Sequence, residues 1–221
     1  MTQFETEIHG VRTELTSMWQ LVISQLTKGK DALLRFDKHL AREVVQTEKR
    51  VNAFELKIDR DCENIFALFC PVAVDLRFLL SVLKINNNLE RIGDIAEGIA
   101  KYILDTPARF DEHLLEATEL VRMMDLSLDI LKDAQVAFEN ENTILARTIF
   151  SRDEVLDAIN KQADDRIATC IQEKPASIHE ALYILSIIRK LERVGDQSKN
   201  IAEEIIFYFE AKVLKHQKGL L

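Results

Sequence analysis

Leu89–Ala100, LERIGDIAEGIA, returns 102 residues later as Leu191–Ala202, LERVGDQSKNIA. Seven of the twelve positions are identical, and Ile92 against Val194 is a conservative exchange. A block that recurs at a domain-scale interval marks an internal duplication. Its content is locally unfavourable. Each copy sets carboxylates at i and i+4, Glu90 with Asp94 and Glu192 with Asp196, around a glycine. On a helix the two carboxylates share one face and repel. A mid-helix glycine costs about 1 kcal/mol relative to alanine. Repeating both choices implies that the block serves a purpose other than helix stability.

Outward from the block, the pattern is helical. Val82, Ile85, Leu89, Ile92, Ala96, Ile99 and Ile103 recur at i, i+3, i+4 spacing, and Ile184, Ile187, Leu191, Val194, Ser198, Ile201 and Ile205 repeat that stripe. Val51, Phe54, Ile58, Cys62, Ile65 and Phe69 form a third, and Leu156, Ile159, Ala163, Ile167 and Cys170 a fourth. With 6 Gly and 3 Pro in 221 residues, strands joined by tight turns are disfavoured. Pro71 and Pro175 each precede a long apolar helix, and Pro107 lies between the halves. The spacing predicts six helices, over 5–35, 38–69, 73–104, 111–141, 143–172 and 177–214, with Asp37 and Ser177 as N-caps. The fold class is all-α: two tandem three-helix bundles from an internal repeat, spanning 1–106 and 107–221, packed together without a linker. Lys215 to the C-terminus reads as frayed. Met18 and Trp19 read as core.

A net charge of −8 argues against nucleic acid as a partner. No run of apolar residues is long enough to span a membrane, and the polar, acidic N-terminus is unlike a signal peptide. A membrane would be reached only through partners. Cys62, Cys70 and Cys170 have no framework spacing and read as buried thiols in a reducing, cytoplasmic compartment.

The helices preceding the repeated blocks carry matching groups. Glu48 and Asn52 form an i, i+4 pair followed by Glu55 and Asp59. Asp153 and Asp157 are the equivalent pair, 105 residues on, followed by Asn160 and Asp164. Antiparallel neighbours bring each pair against the block of its own bundle. Leu76, Leu79 and Leu83 lead along one line into Asn86, Glu90, Asp94 and Glu97, and Ile178, Ala181, Leu185 and Ile188 lead into Glu192 and Asp196. The carboxylates thus extend inward-looking faces. The candidate metal ligands are Glu48, Asn52, Glu90, Asp94, Asp153, Asp157, Glu192 and Asp196. Converging carboxylates suit hard cations such as magnesium, calcium, manganese or ferric iron. No Cys or His joins them, which disfavours a tight structural zinc site. The competing reading is that Arg91, Arg193 and nearby lysines pair with these acids at the surface, or that the pairs simply face solvent. No Glu-x-x-His, phosphate-cradling loop or nucleophile–base set is legible.

Two repeats, each closing with E-R-[IV]-G-D, together with Glu192–Asp196 followed by Asn200-Ile-Ala-Glu203, resemble the PhoU family over nearly the whole chain. The resemblance implies a non-enzymatic, cytoplasmic negative regulator of the phosphate-starvation response and phosphate uptake. It implies carboxylate-bound metal (iron, manganese, magnesium or zinc) and a homodimer. It also implies adaptor contacts with the ATPase of a phosphate ABC transporter and with a sensor histidine kinase. Alternatives are a carboxylate-bridged metal-dependent enzyme and a metal-free helical scaffold. Two departures stand out: Asn52 replaces a carboxylate, and Gly98 stands where the second repeat has Asn200. Both predict weaker metal binding, or fewer bound ions, in the first repeat.

Overall fold

A computed structural model describes residues 2–174 and 178–214. Among them there are seven helices and no strand: α1 (Gln3–Arg35), α2 (Lys38–Phe69), α3 (Ala73–Asp105), α4 (Glu112–Ala117), α5 (Leu120–Glu139), α6 (Thr143–Glu173) and α7 (Ile178–Glu210). Helices α1, α2 and α3 pack as one three-helix bundle, and α5, α6 and α7 as a second. All seven residues of the stripe on α3 are buried, as are all seven on α7 and all five on α6. Burying such stripes, at about 25 cal/mol per Å², drives association of helices that would be marginal alone.

The helix ends follow local chemistry. Asp37 caps α2, its Oδ1 accepting from His39 N at 2.9 Å and Leu40 N at 3.1 Å. Thr2 and Glu5 form a capping box that starts α1 two residues earlier than the apolar pattern indicates. Ser177 lies outside the described residues, as does the chain from Lys215 onward.

Three expectations need correction. The helix predicted over 111–141 is two helices. Thr118 Oγ1 donates to the carbonyls of Leu114 at 2.7 Å and Leu115 at 3.3 Å, and Glu119 turns left-handed at φ 55°. Arg122 and Arg166 hold Glu119 by ion pairs, so the turn is fixed by side chains instead of by glycine. Cys70 is exposed because it closes α2 in a left-handed conformation at φ 46°, outside the core that takes Cys62 and Cys170. Finally, the lines that lead to the carboxylates are buried only in part: Leu79, Asn86, Ala181 and Ile188 are buried, whereas Leu76 and Ile178, near the helix starts, are exposed.

The halves meet through α3 against α7 and α1 against α5. Trp19 and Met18 are fully buried, and Trp19 Nε1 donates to the Leu131 carbonyl at 3.2 Å. Helices α3 and α7 run antiparallel. Ser81 Oγ donates to the Glu204 carbonyl at 3.2 Å, Asn200 Nδ2 to Asn88 Oδ1 at 3.5 Å, Lys190 lies beside Gly98, and the Tyr102 and Tyr183 rings stand 5.3 Å apart.

Candidate metal centre

Each repeat sends one buried carboxylate from its second long helix into a notch on its third. In the first repeat this is Glu48 on α2, 4% exposed. It lies against Gly93, where a Cβ would come 2.8 Å from Glu48 Oε2 and 3.1 Å from Val51 Cγ1. In the second repeat it is Asp153 on α6, fully buried, against Gly195, where a Cβ would overlap Asp153 Oδ1 and come 2.6 Å from Leu156 Cδ1. The glycine of the repeated block is therefore a close-approach position. It lets the carboxylate of one helix enter the other between the motif's own Glu and Asp.

The other candidate ligands lie at the rim. Glu90 and Glu192 are half-buried, whereas Asn52, Asp94, Asp157 and Asp196 are exposed. Antiparallel pairing of α2 with α3 brings Glu55, Asp59 and Asn86 to the same face. Asn86 Nδ2 donates to Asp59 Oδ1 at 2.9 Å and to the Glu55 carbonyl at 3.0 Å. Among the described residues no three carboxylate, imidazole or thiol side chains already converge as an ion-binding set. Arg91 and Arg193 form no ion pair with these acids but oppose the rise of Glu90, Glu192 and Asp196 electrostatically; Lys101–Glu97 at 2.5 Å, Lys199–Asp153 at 3.1 Å and Arg189–Asp164 at 3.1 Å are ion pairs.

The electrostatics show that the groups act on one another. Burial pushes Glu48 up to about 7; the Gln25 hydrogen bond opposes this, and Asp94, Glu90 and Glu97 add to it. Burial pushes Asp153 up to about 6 against the Lys199 contact, with Asp157 and Asp196 reinforcing the rise. Glu90 is raised by burial, then by Asp94 and Glu55; Glu192 by burial, then by Asp196, Asp157 and Asp153. Asp196 is raised by burial and then by Asp157. Repulsion of this kind within each set is what a cation relieves.

Gln25 on α1, 1% exposed, belongs to the first set although the sequence reading passed over it. Its Nε2 donates to Glu48 Oε2 at 2.9 Å and to the Val44 carbonyl at 3.4 Å. An amide on the stripe between Val22 and Leu26 was the signal. Lys199 was also missed, although it stands where the first repeat has Glu97. Buried oxygens without a hydrogen-bond partner include Glu48 Oε1, Gln25 Oε1 and Asn86 Oδ1 in the first repeat and Asp153 Oδ1 and Gln197 Oε1 in the second. Orphaned buried acceptors carry a desolvation cost of about 1–3 kcal/mol each unless something binds them. Hard cations take oxygen ligands of this kind, and the residues present fit one.

The PhoU domain family matches this chain twice, over residues 15–103 and 120–205. The chain belongs to the PhoU family. The two matches cover both repeats and both glycine notches. The chain is 32% identical over 214 residues to the phosphate-specific transport system accessory protein PhoU homolog of Pseudomonas putida, covering 97% of this chain and 83% of that protein. It is 30% identical over 217 residues to the phosphate-specific transport system accessory protein PhoU of Escherichia coli (strain K12), covering 98% and 89%. The crystal structure of PhoU from Pseudomonas aeruginosa superposes with a TM-score of 0.86 at 31% identity, over 95% of this chain and 100% of that one. A phosphate transport system regulatory protein PhoU from Streptococcus pneumoniae gives 0.85 at 30% identity, over 96% and 99%. No helix among the described residues is long and apolar enough to cross a membrane.

Proposed function

We propose that this PhoU-family chain is a cytoplasmic, non-enzymatic regulator of phosphate transport that represses the phosphate-starvation response when phosphate is plentiful. The near-full-length match to proteins named as accessory to the phosphate-specific transport system carries this reading. The chain acts by contact, as an adaptor between the ATPase of a phosphate ABC transporter and a sensor histidine kinase, and it works as a homodimer.

Metal binding is part of the proposal. Glu48, Glu90 and Asp94, with Asn52 at the rim, would hold a cation in the first repeat. Asp153, Asp157, Glu192 and Asp196 would do so in the second. The buried unpartnered oxygens Glu48 Oε1 and Asp153 Oδ1 support the assignment. The exposed Asp94, Asp157 and Asp196 are free to turn toward an ion, whereas Glu48 and Asp153 are already held in place by their notches. A bound cation supplies the positive charge that lets these carboxylates close together, and so fixes the face presented to partners.

The test is genetic. A strain lacking the chain and any second family member is expected to express phosphate-starvation genes in high phosphate. Reintroducing the wild-type chain restores repression, and a Glu90→Ala, Asp94→Ala, Glu192→Ala, Asp196→Ala variant restores it only in part. Normal repression in the deletion strain would refute the regulator reading.

A further inference from the structure

The two carboxylate sets are equivalent in sequence but differ in what neutralises them. Lys199 lies 102 residues beyond Glu97 and so occupies its repeat position. From there Lys199 Nζ donates to Asp153 Oδ2 at 3.1 Å, and the Asp153 side chain is only 1% exposed. In the first repeat Glu97 turns outward to Lys101 at 2.5 Å. Glu48 meets a neutral amide instead, Gln25 Nε2 at 2.9 Å; Glu48 Oε1 and Gln25 Oε1 remain unpartnered, as does Asp153 Oδ1 in the second set. One set thus contains its own cation on its most buried carboxylate, and the other contains none.

We infer that the two sets do not bind metal equally. The set of Glu48, Glu90 and Asp94 is the high-affinity centre. Lys199 is a built-in counter-cation that keeps the set of Asp153, Asp157, Glu192 and Asp196 from filling at the same metal concentration. This inference rests on the metal reading given above.

Loading the second set requires an ion either to displace the ammonium from a buried carboxylate or to sit beside it. The first breaks an ion pair whose carboxylate is 1% exposed and whose lysine is 37% exposed; the second sets like charges close together beside a buried carboxylate. The first set has nothing charged to displace. Counting carboxylates ranks the sets the other way, because Asn52 stands where the second repeat has Asp157. Asp157 acts on Asp153, Glu192 and Asp196, but from an exposed position, whereas Lys199 contacts the buried carboxylate directly. An amide oxygen at Asn52 can still ligate a hard cation. The deciding contact is the buried one.

Titration of the chelator-stripped full chain with Mn²⁺ tests this, with circular dichroism as the folding control. Wild type is expected to show one tight class of sites. Glu90→Gln with Asp94→Asn abolishes it, whereas Glu192→Gln with Asp196→Asn leaves it intact. Lys199→Gln is expected to tighten a second event at least tenfold, and Lys199→Arg is expected not to. Loss of the tight class in the Glu192/Asp196 variant overturns the inference, as does a Lys199→Gln titration identical to wild type. Absence of Mn²⁺ binding in every variant overturns the metal reading itself and this inference with it, a result distinct from a reversed ranking.

Discussion

Glu48 lies so close to Gly93 that a methyl group added at residue 93 would come 2.8 Å from the carboxylate oxygen Oε2. Gly93→Ala therefore pits a helix-propensity gain of about 1 kcal/mol against displacement of a buried carboxyl side chain and of Val51. The displacement wins. Gly93→Ala and Gly195→Ala are each expected to destabilise by about 1–3 kcal/mol in urea unfolding. Gly10→Ala, which meets nothing within 4 Å, is expected to stabilise by about 0.4–1 kcal/mol. Stabilisation at all three positions would show that the notch is slack.

Stability of the metal-free protein should carry the signature of Glu48. Its carboxyl is raised from 4.5 to about 7 in the fold, so between those values the native state holds a proton that the unfolded chain has released. The native state binds more protons, and stability falls as pH rises through that window and levels off above it. Glu48→Gln removes this contribution. In chelator, the stability of wild type relative to Glu48→Gln is expected to drop by on the order of 3 kcal/mol from pH 4.5 to 7.5. A difference independent of pH would contradict the burial of an ionisable group there.

Metal removal should leave the fold standing. The stripes on α3, α6 and α7 are buried along their whole length, and of the candidate ligands only Glu48 and Asp153 lie inside the bundle margin. Helical circular dichroism is expected to change little on chelation. A collapse of that signal would place the ion among the structural supports.

The halves should unfold together. Trp19, on α1, is fully buried, donates to the Leu131 carbonyl on α5 at 3.2 Å and stands 5.9 Å from the Phe138 ring. Its fluorescence therefore reports the joint between the two bundles. Coincident fluorescence and circular dichroism transitions in urea are expected. A fluorescence change well ahead of helix loss would mean that the bundles part before they melt.

The helices were readable in the sequence because each buries one face, so its apolar residues repeat with the helix period. Asp37 was readable because an N-cap is a local matter between one side chain and the next turn. The break at Thr118–Glu119 was not, because neither residue is a usual breaker and the ion pairs to Glu119 include one from Arg166 in α6. For the carboxylate sets, the i, i+4 spacing identified the residues but not their depth. Glu48 and Asn52 share a spacing, yet Glu48 is buried and Asn52 exposed, which follows from how α2 is rotated against α3. Gln25 and Lys199 join the sets only through tertiary packing, although the mismatch of Lys199 with Glu97 is visible once the repeats are aligned.

The antiparallel contact of α3 with α7 has a consequence for how such a chain could arise. Asn88 and Lys190 are repeat-equivalent, as are Gly98 and Asn200, so exchanging the halves turns the Gly98–Lys190 contact into the Asn200–Asn88 contact. That is the isologous geometry of a twofold homodimer of single repeats. In such an ancestor every substitution would appear on both sides at once. Fusion into one chain frees the two sides to diverge, so Lys can stand at 199 while Glu remains at 97.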